Sequence, residues 1–231
     1  FDEQDTRLLP TWPELDPESV TRALAARIAY FHDTDRIRNR LAFIAARERQ
    51  LAERPVLSLV RKPYFCSGCP HNSSTRVPDG SRALGGVGCH FMATYMDRNN
   101  TTHSHMGGEG LTWVGQAPFV KTKHVFQNLG DGTYNHSGVQ AIRAALAAGT
   151  TMTYKILFND AVAMTGGQGN EGGLTADRIV RELKAMGVEH LAVVYDEKED
   201  VDFKAMPRGI EIHERAELMN VQNRFREIEG V

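Results

Sequence analysis

The sequence has 231 residues and carries 27 lysines and arginines against 29 aspartates and glutamates. This near balance gives no preference for polyanions, so a nucleic-acid partner is not expected. No stretch of about 18 consecutive apolar residues occurs, so no membrane-spanning helix is expected. The start, Phe1-Asp2-Glu3-Gln4-Asp5, is acidic and polar, and no secretory signal is expected there.

Three cysteines are present, and two of them form a C-x-x-C pair at Cys66 and Cys69. An odd number in this arrangement is typical of ligation or redox chemistry in a reducing compartment, rather than of a disulfide framework. We therefore expect a cytoplasmic protein. Because the sequence does not begin with methionine, we expect it to be a piece of a longer chain.

Two helices are predicted near the start of the sequence. Asp16 is a suitable N-cap and Pro17 suits the first helical position, and apolar residues then recur at helical spacing. A second helix is expected after Asp33 or Asp35, with one apolar face and arginines elsewhere. We expect residues 1–54 to form a helical hairpin or linker that precedes a separate domain.

The second domain, residues 55–231, is expected to begin with an irregular region. From Arg54 to Gly80 the helical periodicity stops, and prolines and glycines predict a loop. This loop contains Cys66-Ser67-Gly68-Cys69-Pro70-His71, and the third cysteine follows in Gly85-Gly86-Val87-Gly88-Cys89-His90. A loop with little apolar content needs a staple, which a metal held by thiolates can supply. A strand is expected at Ala83-Leu84, with a short helix from Phe91 to Met96.

The C-x-x-C pair fits three kinds of site. Zinc would need a fourth Cys or His ligand, which His71 or His90 could supply. A thioredoxin-like dithiol would need to begin a helix, whereas Pro70 and the surrounding turn residues favour a loop. An iron–sulfur cluster is usually held by four cysteines, and three are present. The spacing alone leaves these alternatives open.

Three further polar residues invite a functional interpretation. His103 and His105 are two residues apart, and we interpret them as hydrogen-bonding residues of a pocket wall on a strand rather than as metal ligands. Glu109 lies between glycines and is a candidate general base, but that role is not assigned to it.

A strand, a glycine-bracketed acid and a helix follow one another in the middle of the sequence. The apolar run His124-Val125-Phe126 predicts a buried strand, Gly130-Asp131-Gly132 follows it, and the residues from Val139 to Leu146 predict a helix. Glycines let the backbone approach a ligand closely, and the amides at a helix start favour phosphate oxygens. An ordinary β-turn is the alternative interpretation of Gly-Asp-Gly by itself.

Asp131 is unexpected at a phosphate site because its carboxylate would repel phosphate. A magnesium ion resolves this conflict, since it prefers oxygen ligands and is commonly held by one or two side chains together with substrate phosphates. Asn159 directly follows the predicted strand Thr153 to Phe158 and offers a second side-chain oxygen. The two residues therefore predict a magnesium site.

The remaining segments predict the fold class. Ala161 to Gly173 is rich in glycine and is expected to be a loop that covers a cofactor, because it follows the carboxyl end of a strand. Alternating strands and helices predict an α/β fold with an open, mostly parallel sheet and helices on both faces. The further expected elements are a helix from Thr175 to Gly187, strands from Leu191 to Tyr195 and from Gly209 to His213, and a helix from Ala216 to Ile228.

Gly130-Asp131-Gly132, followed after a helix and a strand by Asn159, resembles the magnesium and diphosphate site of thiamine diphosphate enzymes. The resemblance implies the thiamine diphosphate-binding fold. It also implies that Asp131, Asn159 and the backbone oxygen of Ala161 ligate magnesium.

Cys66-x-x-Cys69-Pro70-His71 and then Gly88-Cys89, placed ahead of this site, resemble the 2-oxoacid:ferredoxin oxidoreductases. The stretches His105 to Phe119 and Met164-Thr165-Gly166-Gly167-Gln168 are most similar to the fused indolepyruvate ferredoxin oxidoreductases. The resemblance implies a 4Fe-4S cluster on the three cysteines, Cys66, Cys69 and Cys89, and the fourth cysteine is expected beyond Val231.

The resemblance also implies a set of cofactor-binding residues. His90 among them is expected to line the pocket beside the reactive carbon, and no residue is assigned as catalytic, because the glutamate that activates the cofactor is expected from another domain. The set consists of Gly88, Cys89, His90, Gly130, Asp131, Gly132, Thr133, Asn159, Ala161, Met164, Thr165 and Gly166.

The function implied by the resemblance is oxidative decarboxylation of a 2-oxoacid, indolepyruvate or another aryl 2-oxoacid. Electrons are expected to pass through the cluster to ferredoxin, and coenzyme A is expected to accept the acyl group. Other domains of the same enzyme and further copies of it are expected partners, and this piece alone is expected to be inactive. A non-oxidative thiamine diphosphate decarboxylase or ligase would leave the cysteines unexplained, and a zinc-stapled interaction domain would leave Asp131 and Asn159 unexplained.

Overall fold

The computed structural model describes residues 8–9, 15–55, 60–197 and 201–231. The chain divides into two compact units, Phe1–Arg61 and Lys62–Val231, close to the boundary expected after residue 54. The acidic residues 1–5 and residues 56–59 of the predicted loop lie outside the described part. Within that part, no helix is both long enough and apolar enough to cross a membrane.

The first unit contains the two predicted helices, α1 (Pro17–Ala29) and α2 (Asp35–Ala52). The α1 prediction is confirmed in detail, because Asp16 Oδ1 accepts a 2.6 Å hydrogen bond from Ser19 N as an N-cap does. The α2 cap is Thr34, whose hydroxyl accepts from the backbone N–H of the third residue of the helix. An ion pair between Arg22 and Glu48 joins the two helices.

A four-stranded parallel sheet forms the centre of the second unit, with strand order β2-β1-β3-β4. The central strand β3 begins at Phe126 and runs to Gly130, further along the chain than the predicted strand at residues 124–126. Its register with β4 pairs Gly130 with Leu157, so both strands end at the same edge of the sheet. The strands are β1 (Ala83–Leu84), β2 (Asn100–Thr102), β3 (Phe126–Gly130) and β4 (Thr153–Leu157).

Helices surround this sheet, which confirms the predicted α/β class. Asp131 begins α5, which continues through a π-helical turn, Tyr134–Gly138, into α6, so the glycine-bracketed acid is the first residue of a helical segment rather than part of an isolated turn. A 3₁₀ helix, Cys89–Tyr95, corresponds to the short helix predicted at residues 91–96. The helices are α3 (His71–Ser74), α4 (Leu111–Gln116), α5 (Asp131–Thr133), α6 (Val139–Ala147), α7 (Ala176–Ala185) and α8 (Leu218–Phe225).

Two hydrophobic clusters form the core of the second unit. The larger one joins Leu129 of β3 to Tyr134 and to apolar side chains of α6 and α7, including Ile142 and Leu183. The second is built around fully buried Trp113, whose indole N–H donates a 3.0 Å hydrogen bond to the carbonyl of Thr151. The first cluster includes Leu129 near the end of β3, whereas the second includes Val125 and Met152, which directly precede β3 and β4.

The glycine-rich stretch after β4 is more ordered than the predicted loop. It contains a short antiparallel hairpin of β5 (Ala161–Val162) and β6 (Gln168–Gly169), with a 3₁₀ turn, Ala163–Thr165, between them. Gly166 and Gly167 close the hairpin with φ values of +128° and +78°, which only glycine adopts without strain.

The last strands differ from the prediction of one continuous sheet. In the described residues, β7 (Ala192–Tyr195) and β8 (Glu211–Glu214) pair in parallel with each other as a separate two-stranded sheet. The final helix is also shorter than expected, since a 3₁₀ turn, Arg215–Glu217, precedes α8 and the helix ends at Phe225.

Candidate functional site

The Asp131 carboxylate lies at the carboxyl end of β3 and is only 2% exposed. Its Oδ1 accepts a 2.9 Å hydrogen bond from the backbone N–H of Gly132. Its Oδ2 accepts one of 3.1 Å from the backbone N–H of Asn159 and one of 2.9 Å from the side-chain amide of Asn170. A carboxylate offers about four lone-pair positions, so three fixed donors leave room for one cation.

Asn159 is brought beside Asp131 by the pairing of β3 with β4. Its side-chain oxygen accepts a 3.3 Å hydrogen bond from the backbone N–H of Ala161. Between them Asp160 adopts a left-handed conformation with φ of 53°, which turns the chain sharply back toward the sheet edge. The three predicted magnesium residues, Asp131, Asn159 and Ala161, are therefore joined by hydrogen bonds into one small group.

The glycines of the turn keep this region free of side-chain atoms. A Cβ at Gly132 would lie 3.2 Å from Val162 Cγ2 and 3.4 Å from Asn170 Oδ1, and one at Gly130 would lie 3.8 Å from His90 Cε1. Gly132 therefore lies directly below the β5–β6 hairpin, and a larger residue there would push the hairpin away. This is the arrangement expected where backbone approaches a ligand closely.

Several buried polar atoms around the turn have no hydrogen-bond partner among the described residues. Asn128 is fully buried, and neither its amide nitrogen nor its oxygen is paired. The same is true of Asn170 Oδ1, His90 Nε2, Glu109 Oε1 and both ring nitrogens of His71. Since buried polar groups are normally paired, donors such as the Asn128 amide nitrogen fit the oxygens of a diphosphate, whereas acceptors such as Asn170 Oδ1 fit a cation or a donor group of a cofactor.

His90 lies against the glycine wall of this site. A Cβ at Gly88 would lie 2.8 Å from its ring, and one at Gly86 would lie 3.0 Å both from His90 Nε2 and from Glu109 Oε1. Burial, and to a smaller degree the charge of His71, lowers the pKa of His90 to about 4, so the ring is neutral near pH 7. Burial also raises the pKa of Glu109, whose Oε2 accepts a 2.7 Å hydrogen bond from Gly107 N.

The three cysteines are free thiols that the fold brings together. Burial, followed by the charges of Cys69 and Cys66, raises the pKa of Cys89, so the three sulfur atoms are electrostatic neighbours. The backbone N–H of Cys69 donates a 3.1 Å hydrogen bond to the carbonyl of Cys66 and so closes a turn. The helix α3 begins directly after Pro70. The expectation of a loop without a helix was wrong at this point, because proline at a helix start loses no hydrogen bond.

His71 connects the cysteines to the Gly-Asp-Gly turn. Its side chain is 7% exposed, and burial lowers its pKa while the charge of Asp131 opposes that change. The same imidazole acts electrostatically on His90. The imidazole that follows the C-x-x-C pair is therefore close enough to Asp131 and to His90 for their charges to interact.

Among residues 8–9, 15–55, 60–197 and 201–231, no three His, Cys, Asp or Glu side chains converge on one point that could hold a metal ion. The proposed magnesium ligands are of a different kind, because an amide oxygen and a backbone oxygen accompany a single carboxylate. An iron–sulfur cluster places its own iron and sulfide atoms between the thiolates, so its ligands need not meet at one point.

The other predicted site residues lie in α5, in the β5–β6 hairpin and after β2. Thr133 is buried within α5. Met164, Thr165 and Gly166 form the exposed turn of the hairpin, where the Thr165 hydroxyl donates a 2.8 Å hydrogen bond to Gln168. His103 and His105 follow β2 instead of lying on it, and His103 packs edge-on against Phe91 with ring centroids 5.1 Å apart.

Sequence reasoning missed three residues that the structure places around the turn. Asn170 lies in a glycine-rich stretch that was interpreted from its glycines alone. Asn128 lies inside a strand, and the sequence of a strand does not indicate whether a buried side-chain amide has a hydrogen-bond partner. Lys155 of β4 donates hydrogen bonds to the segment that follows the C-x-x-C pair, a contact over 81 residues of sequence that no local pattern indicates.

Residues 86–229, more than half of the chain, match the family of the thiamine pyrophosphate enzyme, C-terminal TPP binding domain. The chain belongs to this family. The match includes Asp131, Asn159, Asn170 and the hairpin, and thiamine diphosphate is therefore the cofactor for which the unpaired groups of this domain are suited.

Curated relatives are similar to the thiamine-binding domain over a limited part of their length. The indolepyruvate oxidoreductase subunit IorA of Thermococcus kodakarensis is 27% identical over 180 residues, which cover 66% of this chain and 28% of that protein. The subunit of the same name from Archaeoglobus fulgidus is 28% identical over 159 residues, 62% of this chain and 26% of that protein. The chain thus spans little more than a quarter of the relatives it matches.

Among solved structures, a 2-oxoglutarate:ferredoxin oxidoreductase from Magnetococcus marinus, with 2-oxoglutarate, coenzyme A and succinyl-CoA bound, matches with a TM-score of 0.48 and 19% sequence identity. The match covers 68% of this chain and 64% of that chain.

Proposed function

We propose that this chain is the thiamine diphosphate-binding part of an enzyme that oxidatively decarboxylates a 2-oxoacid. The observation that supports the proposal is that His90, which directly follows the free thiol of Cys89, lies against Gly130 of the Asp131 turn. A thiamine site that performs no oxidation has no need of thiolates next to it. The names of the curated relatives support indolepyruvate, or another aryl 2-oxoacid, as the substrate.

In this proposal Asp131, Asn159 and the backbone oxygen of Ala161 hold Mg²⁺, and the ion holds the diphosphate. The three hydrogen bonds to Asp131 fix the direction of its carboxylate, so the cation site is preformed. Gly130 and Gly132 let the backbone approach the diphosphate closely, and the unpaired amide nitrogen of Asn128 can donate to it. Thiamine diphosphate, when bound, supplies the electron sink that loss of carbon dioxide from a 2-oxoacid requires.

The protein's own residues set the environment of the reaction. His90 presents a neutral ring nitrogen to the site, which can accept or donate one hydrogen bond without adding charge. Gly86 and Gly88 let the backbone approach the His90 ring closely, since a Cβ at either position would lie within about 3 Å of it. Cys66, Cys69 and Cys89 would hold a 4Fe-4S cluster, with a fourth ligand supplied from elsewhere, and Gly88, Cys89 and His90 would place it next to the cofactor.

The overall reaction balances with these parts. A 2-oxoacid and coenzyme A give an acyl-CoA, carbon dioxide, one proton and two electrons, and a cluster held by the three cysteines would supply one-electron chemistry through which ferredoxin could accept these electrons. The substrate pocket, the acyl acceptor site and the ferredoxin site require other domains of the enzyme and further copies of it, so this piece alone is inactive. Met164, Thr165 and Gly166 are exposed here and are proposed to contact the cofactor from the hairpin.

The test uses the full-length protein, purified without oxygen. We expect iron and acid-labile sulfide in the ratio of a 4Fe-4S cluster, an electron paramagnetic resonance signal after reduction, and loss of both in Cys66→Ser. Ferredoxin or viologen reduction should depend on an aryl 2-oxoacid, coenzyme A, Mg²⁺ and thiamine diphosphate. Stoichiometric zinc without sulfide, or complete cluster retention in Cys66→Ser, would refute the redox part of the proposal.

A further inference from the structure

Three cations from distant parts of the chain converge on the short segment that follows the C-x-x-C pair. Lys155 Nζ donates hydrogen bonds of 2.8 Å to Ser74 O and 2.9 Å to Arg76 O. Arg215 Nη1 donates to Pro70 O at 3.2 Å and to the hydroxyls of Ser73 and Ser74 at 3.2 and 2.9 Å. Arg98 donates to Asn72 O, to the Asn72 side chain and to Thr75 Oγ1. We call Lys155, Arg98 and Arg215 the cation clamp.

The clamp satisfies backbone groups that a four-residue helix cannot satisfy alone. The last carbonyls of any helix lack partners within it, and cations are the preferred partners at that end. Here the carbonyls of Asn72, Ser74 and Arg76 each accept from Arg98 or Lys155, whereas Pro70 O already accepts from Ser73 N and Ser74 N and accepts from Arg215 in addition. The position of α3, and with it the turn Cys66–Cys69 that leads into it, therefore depends on these side chains.

Each cation also belongs to a different part of the proposed site. Lys155 lies on β4 four residues before Asn159, and its Nζ also donates to Gln222 Oε1 of α8 at 3.1 Å. Arg98 follows the 3₁₀ helix that begins at Cys89 and lies over the ring of Phe65, next to Cys66. The clamp thus connects the C-x-x-C turn with the third cysteine and with the strand that carries the magnesium residue.

Two of the three cations of the clamp have no acidic partner among the described residues. In the described part of the chain Arg215 forms an ion pair with Asp196 at 3.2 Å, whereas Lys155 and Arg98 form none. Burial, and then the charge of Arg98, lowers the pKa of Lys155 to about 7. A partly buried positive charge without a counter-charge is unfavourable, and a thiolate-bound metal cluster would supply the missing negative charge.

A cavity of about 380 Å³ places this charge beside the thiol. Cys69 lines it together with two arginines, Arg76 and Arg215, and one acidic residue, Asp196. Arg76 is exposed and forms no ion pair in the described residues. Positive charge is therefore concentrated on the side of the turn where Cys69 lies.

We propose that Lys155, Arg98 and Arg215 are positioning residues that hold the Cys66–Cys69 turn and raise the reduction potential of the cluster bound there. Reduction adds one negative charge to a cluster, and neighbouring positive charges stabilise the reduced form more than the oxidised form. This inference rests on the cluster assignment of the proposed function and adds the source of its redox tuning.

The experiment compares redox titrations of full-length protein purified without oxygen, followed by electron paramagnetic resonance. The variants are Lys155→Met and the pair Arg215→Gln and Arg215→Lys, and the control is Lys184→Met. Lys184 is exposed and also donates to a backbone carbonyl, that of Arg208, far from the cysteines in sequence. The titrations are run at about pH 6, below the pKa of about 7 for Lys155, so that its charge is present.

We expect Lys155→Met and Arg215→Gln to keep their iron and sulfide and to have a lower midpoint potential. A tenfold decrease in the equilibrium constant for one-electron reduction corresponds to a midpoint potential lower by about 59 mV, and we expect a shift of this order. Arg215→Lys, which keeps the charge, and the control Lys184→Met should retain the wild-type potential. The potential is the decisive readout because loosening of the segment alone would affect Arg215→Lys as much as Arg215→Gln.

Each other outcome has a definite meaning. If Lys155→Met loses its cluster, the Arg215 pair decides, and equal potentials in Arg215→Gln and Arg215→Lys overturn the inference. Unchanged potentials in all variants that retain the cluster overturn it while leaving the proposed function intact. Wild-type protein without iron and sulfide overturns the cluster assignment itself, and the inference fails with it.

Discussion

The side-chain amide of Asn170 donates a 2.9 Å hydrogen bond to Oδ2 of Asp131, although the two residues are 39 positions apart in sequence. The β5–β6 hairpin makes this contact possible, because it carries the chain from Asn159 outward and back to the turn. The proposed magnesium ligand Asp131 is therefore oriented by a residue that directly follows the β5–β6 hairpin. This hydrogen bond joins the hairpin to the proposed cation site.

Replacement of Asn170 by alanine should weaken magnesium binding without unfolding the protein. The change removes one donor that orients Asp131, and loss of such a supporting hydrogen bond typically costs 10–100-fold in metal affinity. Calorimetric titration of Mg²⁺ in the presence of thiamine diphosphate measures the effect. Asn220→Ala, which removes an exposed amide bonded to Glu217, is the control and should bind as the wild type does. Equal affinity in both variants would show that Asn170 has no orienting role.

Gly132→Ala should weaken thiamine diphosphate binding by crowding the site. The added methyl group would lie 3.2 Å from Val162 Cγ2, so the hairpin must move outward by a few tenths of an ångström. Gly169→Ala, on the hairpin itself, is the matched control, since no atom lies within 4 Å of a Cβ there. Binding is measured by calorimetry, and a Gly132→Ala protein that binds as tightly as Gly169→Ala contradicts the close approach.

Gly110→Ala should destabilise the fold more than Gly149→Ala. Both glycines have left-handed backbones, with φ of 89° and 59°, so each substitution costs about 1–3 kcal/mol of strain. Only at Gly110 would the new Cβ also overlap the Tyr154 hydroxyl, which donates a 2.9 Å hydrogen bond to Glu109 O. Overpacking adds about 1–3 kcal/mol. Urea unfolding measures the difference, and equal losses would mean that Tyr154 moves away freely.

The stability of cluster-free protein should rise with pH between about 7 and 10 because of Lys155. The folded state loses this proton near pH 7, whereas the unfolded chain keeps it up to its usual pKa of 10.5. Between these values the unfolded state binds more protons, so raising the pH favours the folded state. Urea unfolding across this range should show a steeper rise for the wild type than for Lys155→Met. Parallel curves would mean that Lys155 titrates normally in the folded protein.

The sequence predicted the central part of the site because its signals are local. A strand, a glycine-bracketed acid and a following helix are contiguous, and parallel pairing of β3 with β4 then brings Asn159 to Asp131. The N-cap at Asp16 and the helix after Thr175 were predicted for the same reason. Such features depend on a few neighbouring residues.

Contacts between distant segments could not be predicted in this way. The helix α3 is stabilised by cations at positions 98, 155 and 215, so local turn residues around Pro70 indicated a loop instead. The separate pairing of β7 with β8 depends on which strand edges meet, and the residues of a strand do not by themselves indicate this. Burial of Asp131 likewise depends on the hairpin above it.

Calorimetric titration of thiamine diphosphate into wild-type protein and Asp131→Asn, each with Mg²⁺ and with a chelator, tests the central claim most directly. The substitution keeps the size of the side chain but removes the charge that would hold the cation. Asp160→Asn is the control, since it makes the same charge change next to Asn159 on an exposed residue. We predict magnesium-dependent binding in the wild type and Asp160→Asn, and loss of that dependence in Asp131→Asn. Equal magnesium-dependent affinity in all three proteins would contradict the account.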